Sequence, residues 1–231
     1  MSRLTQIELY LKDHPEYVSP LVDFNSQTDQ LFPFDFSSSN KELNLQIIAD
    51  TSSFSSWISQ KLKKNNCRYG IGGYDEHRTL YSRSELFDNS EEPRRLHLGI
   101  DIWADAGTPV YAPLSGQIHS FRFNDNFGDY GATLILKHNL DGLIIHSLYG
   151  HLSLSSIERL QKGAAVKQGE KIAEFGIFSE NGNWPPHLHF QLVFDIKGYD
   201  GDYPGVCRFS ERINFLGNCP DPAILLNQTF H

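Results

Sequence analysis

Four histidines and one aspartate stand in spacings that metal chemistry uses. In "PPHLHFQL", His187 and His189 are two residues apart. On a β-strand that spacing puts both imidazoles on one face, about 6.5 Å from each other, with Leu188 and Phe190 on the opposite face. Two imidazoles on one face of an otherwise apolar strand carry a desolvation cost unless something polar uses them. Upstream, in "HLGIDIWADAGTPVYAP", His97 precedes Asp101 by four residues. On a regular strand the two would lie about 13 Å apart, too far for both to reach one ion at about 2 Å. Helical spacing would serve, but Gly99 and the β-branched residues and prolines that follow oppose a helix. A bend at Gly99, where φ is unrestricted, solves the problem by swinging His97 back toward Asp101. The fourth histidine is His151, in "LYGHLSL".

Two imidazoles and one carboxylate would give a zinc ion three protein ligands and leave one position for water, the arrangement of hydrolytic rather than structural sites. No HExxH occurs in the chain, so the helix-borne zinc motif with its glutamate base is absent. Any base must come from elsewhere, and the histidines left over are the natural candidates. Spacing leaves open which of His187 and His189 would be a ligand. His14, His77, His119, His138, His146 and His231 sit in no ligand-like spacing and are expected to be surface or satisfied core residues.

The elements that must position these residues are mostly short strands. From about Cys67 onward, runs such as "TPVYAPLSGQIHSFRF", "GATLILKH", "LIIHSLYGHL" and "HLHFQLVFDI" are bounded by Gly, Pro, Asn and Asp, which predicts a mainly antiparallel sheet assembly. One helical turn or a short helix is expected around "SLSSIERLQKG". Before Cys67 the pattern differs. Ile7, Leu9, Tyr10 and Leu11 predict a short helix ending near Pro15, followed by an irregular stretch through "LFPFDFSSSN". Phe54, Trp57, Ile58 and Leu62 predict a second helix behind the capping candidates Thr51, Ser52 and Ser53, its apolar stripe docked on the main domain. The expected organisation is an N-terminal helical and irregular segment (1–66), a predominantly β domain (67–196) and a loop-rich C-terminal extension (197–231).

Composition narrows the function. The length of 231 residues suits one well-buried domain with appendages. The formal net charge of −8, with no stripe of Lys and Arg to neutralise phosphates, weighs against a nucleic-acid partner, and none is expected. No stretch is long and apolar enough to span a bilayer, and the N-terminus has no signal-peptide h-region, so the expectation is a cytoplasmic protein without a membrane partner. Cys67, Cys207 and Cys219 lack CxxC spacing and read as buried thiols in a reducing compartment.

In order, "HLGIDIWADAGTPVYAPLSGQI", "LYGHLS", "LQKGAAVKQGEKIAEFG" and "PPHLHFQL" resemble the successive motifs of the lysostaphin/LytM-type zinc metallopeptidases, the M23 family, over roughly Leu96 to Phe194. The resemblance implies a mainly β fold, an antiparallel β-sandwich of the LytM or duplicated-hybrid-motif type with short N-terminal helices. It implies zinc as cofactor, with His97, Asp101 and His189 as metal ligands and His151 and His187 as catalytic residues. It also implies a zinc-dependent metalloendopeptidase acting on a peptide or muropeptide substrate, in peptidoglycan cross-links or stem peptides. Family members carry a loop of small residues before HxH where this chain has "SENGNWPP", a loop expected to border the cleft. The flanking "GGYDEHRTLYSRSELF" resembles M23-like domains joined to kinase-like and aminotransferase-like domains. Tyr81, Arg83 and Glu85 within it are candidate substrate contacts.

Two other readings compete. The half-motifs "GTPVYAPLSGQI" and "AAVKQGEKIAEFG" resemble those of biotinyl, lipoyl and sugar-phosphotransfer carrier domains, but no EAMKM-like turn appears, and a phosphocarrier has no use for Asp101. The alternative within the family is a metal-binding module without peptidoglycan hydrolase activity, a regulatory or partner domain or a hydrolase of another small amide. The presence of both His151 and His187 disfavours it.

Overall fold

A computed structural model describes residues 1–88 and 91–226. In chain order the elements before the sheet are α1 (Arg3–Asp13), β1 (Leu31–Phe34), α2 (Leu45–Ala49), α3 (Thr51–Lys64), β2 (Tyr69–Gly72) and α4 (Glu85–Asp88). Next come β3 (Leu96–His97), β4 (Ile100–Trp103), β5 (Pro109–Tyr111), β6 (Gly116–Asn124), β7 (Gly131–Leu140), β8 (Leu143–Leu152) and β9 (Ala165–Val166). The chain continues through β10 (Lys171–Glu174), β11 (His187–Val193), β12 (Val206–Cys207), α5 (Arg212–Asn218) and α6 (Ala223–Leu226).

Eight strands form one sheet in the order β1-β2-β4-β11-β8-β7-β6-β9, antiparallel throughout except for the β1–β2 pair. A β5–β10 pair covers one face, and Val110, Ala112 and Ala173 close a core with Leu134, Leu136, Tyr149, Leu188 and Phe190. The opposite face packs Ile135, Leu148 and Val193 against Tyr203, Cys207 and Cys219 of the C-terminal segment. The central strands are therefore buried on both faces, and β11 has no exposed residue. The fold is mainly antiparallel β with short helices, as the sequence predicts. No described helix is long and apolar enough to cross a membrane.

The N-terminal segment joins this sheet rather than merely docking on it. The helix α1 starts at Ser2, whose hydroxyl accepts the Thr5 N–H, buries Ile7 and Leu11, and stops before Pro15. Phe54, Ile58 and Leu62 are the buried stripe of α3, each burial contributing about 1.5–3 kcal/mol. Its N-cap is Asp50, whose carboxylate accepts the Ser53 N–H at 2.7 Å, and not Thr51, Ser52 or Ser53. A carboxylate suits the positive end of the helix dipole better than a hydroxyl. The stretch expected to be irregular contains β1, and Pro33 is tolerated there because β1 lies at the sheet edge. Phe34, Phe36 and Phe54 then pack around Trp103 of β4.

"SLSSIERLQKG" forms a single 3₁₀ turn at Leu154–Ser156, the shorter of the two expected forms, and the loop-rich C-terminal extension also supplies β12, α5 and α6. Leu225 and Leu226 of α6 share a core with Ile7 and Leu11, so both ends of the described chain close on the same body. Cys207 and Cys219 are buried free thiols as expected, but Cys67 is only half-buried. His231 lies outside the described residues.

Of the histidines set aside, His77 is exposed, His14 and His119 are half-buried, and His146 is buried with Nδ1 3.3 Å from the Val193 carbonyl. His138 is completely buried, donating from Nδ1 to the Ser115 carbonyl at 2.9 Å with Nε2 2.7 Å from the Ser147 hydroxyl. Burial, which outweighs the Ser115 carbonyl, pulls its pKa from 6.5 down to about 4. Below pH 6.5 the unfolded chain takes up a proton that the folded chain refuses. The stability is thus intact above that pH and falls by about 3 kcal/mol as pH drops toward 4. His138→Gln is expected to remove about 2–3 kcal/mol of the loss between pH 7 and pH 4.5, read as the difference between urea midpoints of variant and parent at the two pH values.

Candidate metal centre

The register of β4 against β11 sets the site. His189 lies directly opposite Asp101, and His187 opposite Trp103, while Leu188 and Phe190 pair with Ile102 and Ile100. The alternation sends Ile100, Ile102, Leu188 and Phe190 into the main core and leaves Asp101, His187, His189 and Gln191 on the other face, all buried. β12 pairs with β3 so that Val206 lies opposite His97, closing the strand that carries this residue.

The chain breaks between β3 and β4 at Leu98 and Gly99, and His97 returns to Asp101 with its Nε2 3.2 Å from Oδ1. Gly99 is required there, but not for the conformational freedom expected of it, since its φ is not in the left-handed region. The reason is space. A Cβ at Gly99 would come within 2.6 Å of the Phe190 carbonyl oxygen and 2.7 Å of His189 Cε1.

His97 Nε2, His189 Nδ1 and Asp101 Oδ1 form a near-equilateral triangle with edges of 2.9, 3.1 and 3.2 Å. The proton positions follow from the partners on the far side of each ring. His97 Nδ1–H donates to the Gly73 carbonyl at 2.9 Å, which cannot donate in return. His189 Nε2–H donates to Gln191 Oε1 at 3.0 Å, and the orientation of that amide is fixed because its Nε2 donates to the Pro204 carbonyl at 3.1 Å. As neutral imidazoles, both rings would turn an unprotonated nitrogen inward, toward a carboxylate oxygen. Three acceptors with nothing to share repel one another unless a cation sits among them. Zinc bonds of about 2.0–2.1 Å at tetrahedral angles would separate such ligands by roughly 3.3 Å, so the donor set fits a divalent cation.

Electrostatics keep His97 and Asp101 in the states a metal needs. Burial, reinforced by Arg78, lowers the His97 pKa to about 4. Burial alone would raise Asp101, but His97 and the Arg78 guanidinium hold its carboxyl well below the usual range.

His151 and His187 stand beside the triangle, their ring centroids 4.1 Å apart. His151 Nδ1–H donates to the Asn181 carbonyl at 2.8 Å and His187 Nδ1–H to the Pro185 carbonyl at 2.7 Å, so both keep Nε2 free as an acceptor. Burial and then the neighbouring His187 and His189 hold His151 well below 6.5, while burial takes His187 to about 4. His151 sits at φ 63°, a conformation that strands rarely contain, between backbone bonds to Tyr130 and Gly176. Strain of this kind gathers at functional sites. His187 is stacked on Trp103, with centroids 3.9 Å apart and planes 13° from parallel.

Asp101, His151, His187 and His189 line a cavity of about 280 Å³ walled by Tyr81, Tyr130, Trp184 and Tyr203. Trp184 of the "SENGNWPP" loop is held there by Asn181, which accepts its N–H at 3.0 Å. Of the upstream candidates, Tyr81 lines the cavity. Arg83 instead packs over Trp184 and Phe127, bonded to Thr51, and Glu85 is exposed and outside the lining. Gly73, Arg78, Asn181 and Gln191 complete the site and were not picked out by sequence. Only Gln191 carried a usable signal, being two residues beyond His189 on the same strand face.

Residues 95–200 match peptidase family M23. They form an M23-family domain. A DD-carboxypeptidase/endopeptidase of Neisseria meningitidis serogroup B is 35% identical over 125 residues, which are 52% of this chain and 26% of that protein. This chain therefore spans only about a quarter of that relative's length. Among solved structures, a zinc-containing peptidase from Vibrio cholerae is 31% identical, with 42% of this chain and 27% of that one covered at a TM-score of 0.34. The catalytic domain of lysostaphin from Staphylococcus simulans is 27% identical, with 52% and 80% covered at a TM-score of 0.36. The M23 stretch contains the triangle and both flanking histidines, whereas Gly73 and Arg78 precede it and Pro204 and Val206 follow it.

Gly99→Ala is expected to cost about 1–3 kcal/mol of stability through overpacking, because neither the Phe190 backbone nor the His189 ring can yield. Displacing His189 should also weaken metal retention about tenfold or more. Thermal unfolding and metal content after dialysis read the two effects separately.

Proposed function

We propose that the M23 domain is a zinc-dependent metalloendopeptidase that hydrolyses a peptide bond of peptidoglycan, in its cross-links or stem peptides. One observation carries the reading. Two imidazole nitrogens and a carboxylate oxygen converge within 3.2 Å of one another, beside two further imidazoles, His151 and His187, that line the cavity together with Asp101 and His189. The family of the domain supports peptidase chemistry, and the Neisseria relative, a DD-carboxypeptidase/endopeptidase, supports peptidoglycan peptides as the substrate.

His97, Asp101 and His189 would hold the zinc. When bound, the ion supplies Lewis acidity, polarising a carbonyl and making water more acidic. The chain's own share of the work falls to His151 and His187. With Nδ1–H tied to a backbone carbonyl in each ring, a neutral ring can act only as an acceptor at Nε2. One ring takes the proton of the attacking water as the oxygen adds to the scissile carbonyl, and becomes a donor only by doing so. It returns that proton to the leaving amine nitrogen as the C–N bond breaks, while the second ring orients the water. Asn181 and Pro185, by fixing Nδ1, decide which nitrogen does this work.

Elemental analysis of purified protein, followed by hydrolysis assays on muropeptide stems and on oligoglycine, tests the reading. About one zinc per chain is expected in the parent and in His151→Ala, and none in Asp101→Ala. The parent should cut muropeptide stems, and His151→Ala should lose about 10²–10⁴-fold in turnover with its metal intact. Zinc bound with neither substrate cut would transfer the site to a metal-binding module without peptidoglycan hydrolase activity. Equal metal loss in both variants would overturn the division of roles.

A further inference from the structure

We propose that Arg78 is a positioning residue of the metal centre, setting which oxygen of Asp101 and which nitrogen of His97 face the ion. The proposal rests on the metal-binding reading of His97, Asp101 and His189.

Arg78 is 1% exposed, and each of its three nitrogens is engaged. Nη1 donates to Asp101 Oδ2 and lies 3.4 Å from the Tyr81 hydroxyl. Nη2 donates to the Gly73 carbonyl at 3.2 Å, and Nε donates to Glu76 Oε2 at 2.6 Å. Two of these acceptors belong to the ligand geometry. With Oδ2 occupied by the guanidinium, the carboxylate presents only Oδ1 to His97 and His189. The Gly73 carbonyl that Arg78 grips is the same atom that accepts His97 Nδ1–H and thereby leaves His97 Nε2 unprotonated. One planar side chain thus fixes a carboxylate rotamer and a histidine tautomer together. A lysine ammonium in its place would keep the charge but could not span the three directions of the fork.

A purely structural role fits the surroundings less well. A buried ion pair contributes little to stability over apolar residues of similar volume, because desolvation offsets the attraction. The network also continues away from the site. Glu76 Oε1 accepts the Phe36 N–H at 2.9 Å, and the guanidinium lies 5.1 Å from the centre of the Phe36 ring. Phe36, Gly73, Glu76 and Arg78 all precede residues 95–200, so the matched stretch holds the ligands while the chain before it orients two of them.

Metal-free protein titrated with cobalt(II) against a chromophoric chelator tests this, with the parent, Arg78→Lys, Glu76→Gln and the surface control Arg68→Lys compared. Arg78→Lys should keep the parent's far-UV circular dichroism but bind cobalt 10–100-fold more weakly and shift its visible ligand-field bands, as Asp101 is released to offer both oxygens. Glu76→Gln, which frees Nε while keeping an acceptor for Phe36, should weaken binding by a smaller factor in the same direction. Arg68→Lys, at an exposed ion pair, should change nothing. Folded Arg78→Lys with affinity within twofold of the parent and an unchanged spectrum would overturn the proposal. If Arg78→Lys does not fold, the same result in Glu76→Gln would do so. A parent that binds no cobalt or zinc would instead overturn the metal-binding reading itself.

Discussion

The pairing of Asp101 with His189 across β4 and β11 is the constraint on which the site depends. Side chains alternate with a period of two, so a slip of one residue would turn the carboxylate and both strand histidines into the apolar core and bring Ile102 and Leu188 out. The register is held by that same core, since Ile100, Ile102, Leu188 and Phe190 are almost completely buried on the far side of the same two strands. Burial of the hydrophobic face is therefore what places the polar one. Every polar group on that face then has to find a partner away from water, and the Gly73, Pro204, Pro185 and Asn181 carbonyls supply acceptors.

Rigidity of the histidines follows from where those acceptors come from. His187 is trapped between a carbonyl two residues upstream and the flat face of Trp103, and Trp103 is itself wedged by Phe34, Phe36 and Phe54 from the N-terminal segment. His151 is held at positive φ by hydrogen bonds on both sides of its peptide units. Neither ring needs to reorganise before it can accept a proton, and that preorganisation is where a folded scaffold contributes most to an acyl-transfer reaction. The cost appears as buried imidazoles kept neutral and a strained backbone, offset by the packing of the large sheet.

Local periodicity made part of this arrangement legible. The common face of His187 and His189 and the inward face of Leu188 and Phe190 follow from alternation alone, and the buried stripe of α3 follows from helical spacing. Gly99 was legible as indispensable, though for crowding against His189 rather than for its torsion angle. Pro33 concealed β1, because an edge strand accepts a residue that a central strand would reject. Arg78 was beyond reach. It lies 23 residues from Asp101 in a segment without period, and a salt bridge of that kind leaves no trace in spacing.

The distribution of the supporting atoms bears on how such a site diversifies. His97, Asp101, His151, His187 and His189 all fall within residues 95–200, on strands whose register fixes their geometry, so they tolerate little change. The walls of the cavity come from elsewhere, with Tyr81 preceding that stretch and Tyr203 following it. Trp184 lies on a loop pinned by Asn181 rather than on a strand, where side chains can vary without disturbing register. Under the proposed function, chemistry falls to these five residues and substrate selection to the aromatic wall, physically separable parts of one body. On that reading the same five residues would serve different peptide bonds if the surrounding aromatic wall were replaced, because that wall bears on what can enter rather than on which nitrogen is free to take a proton.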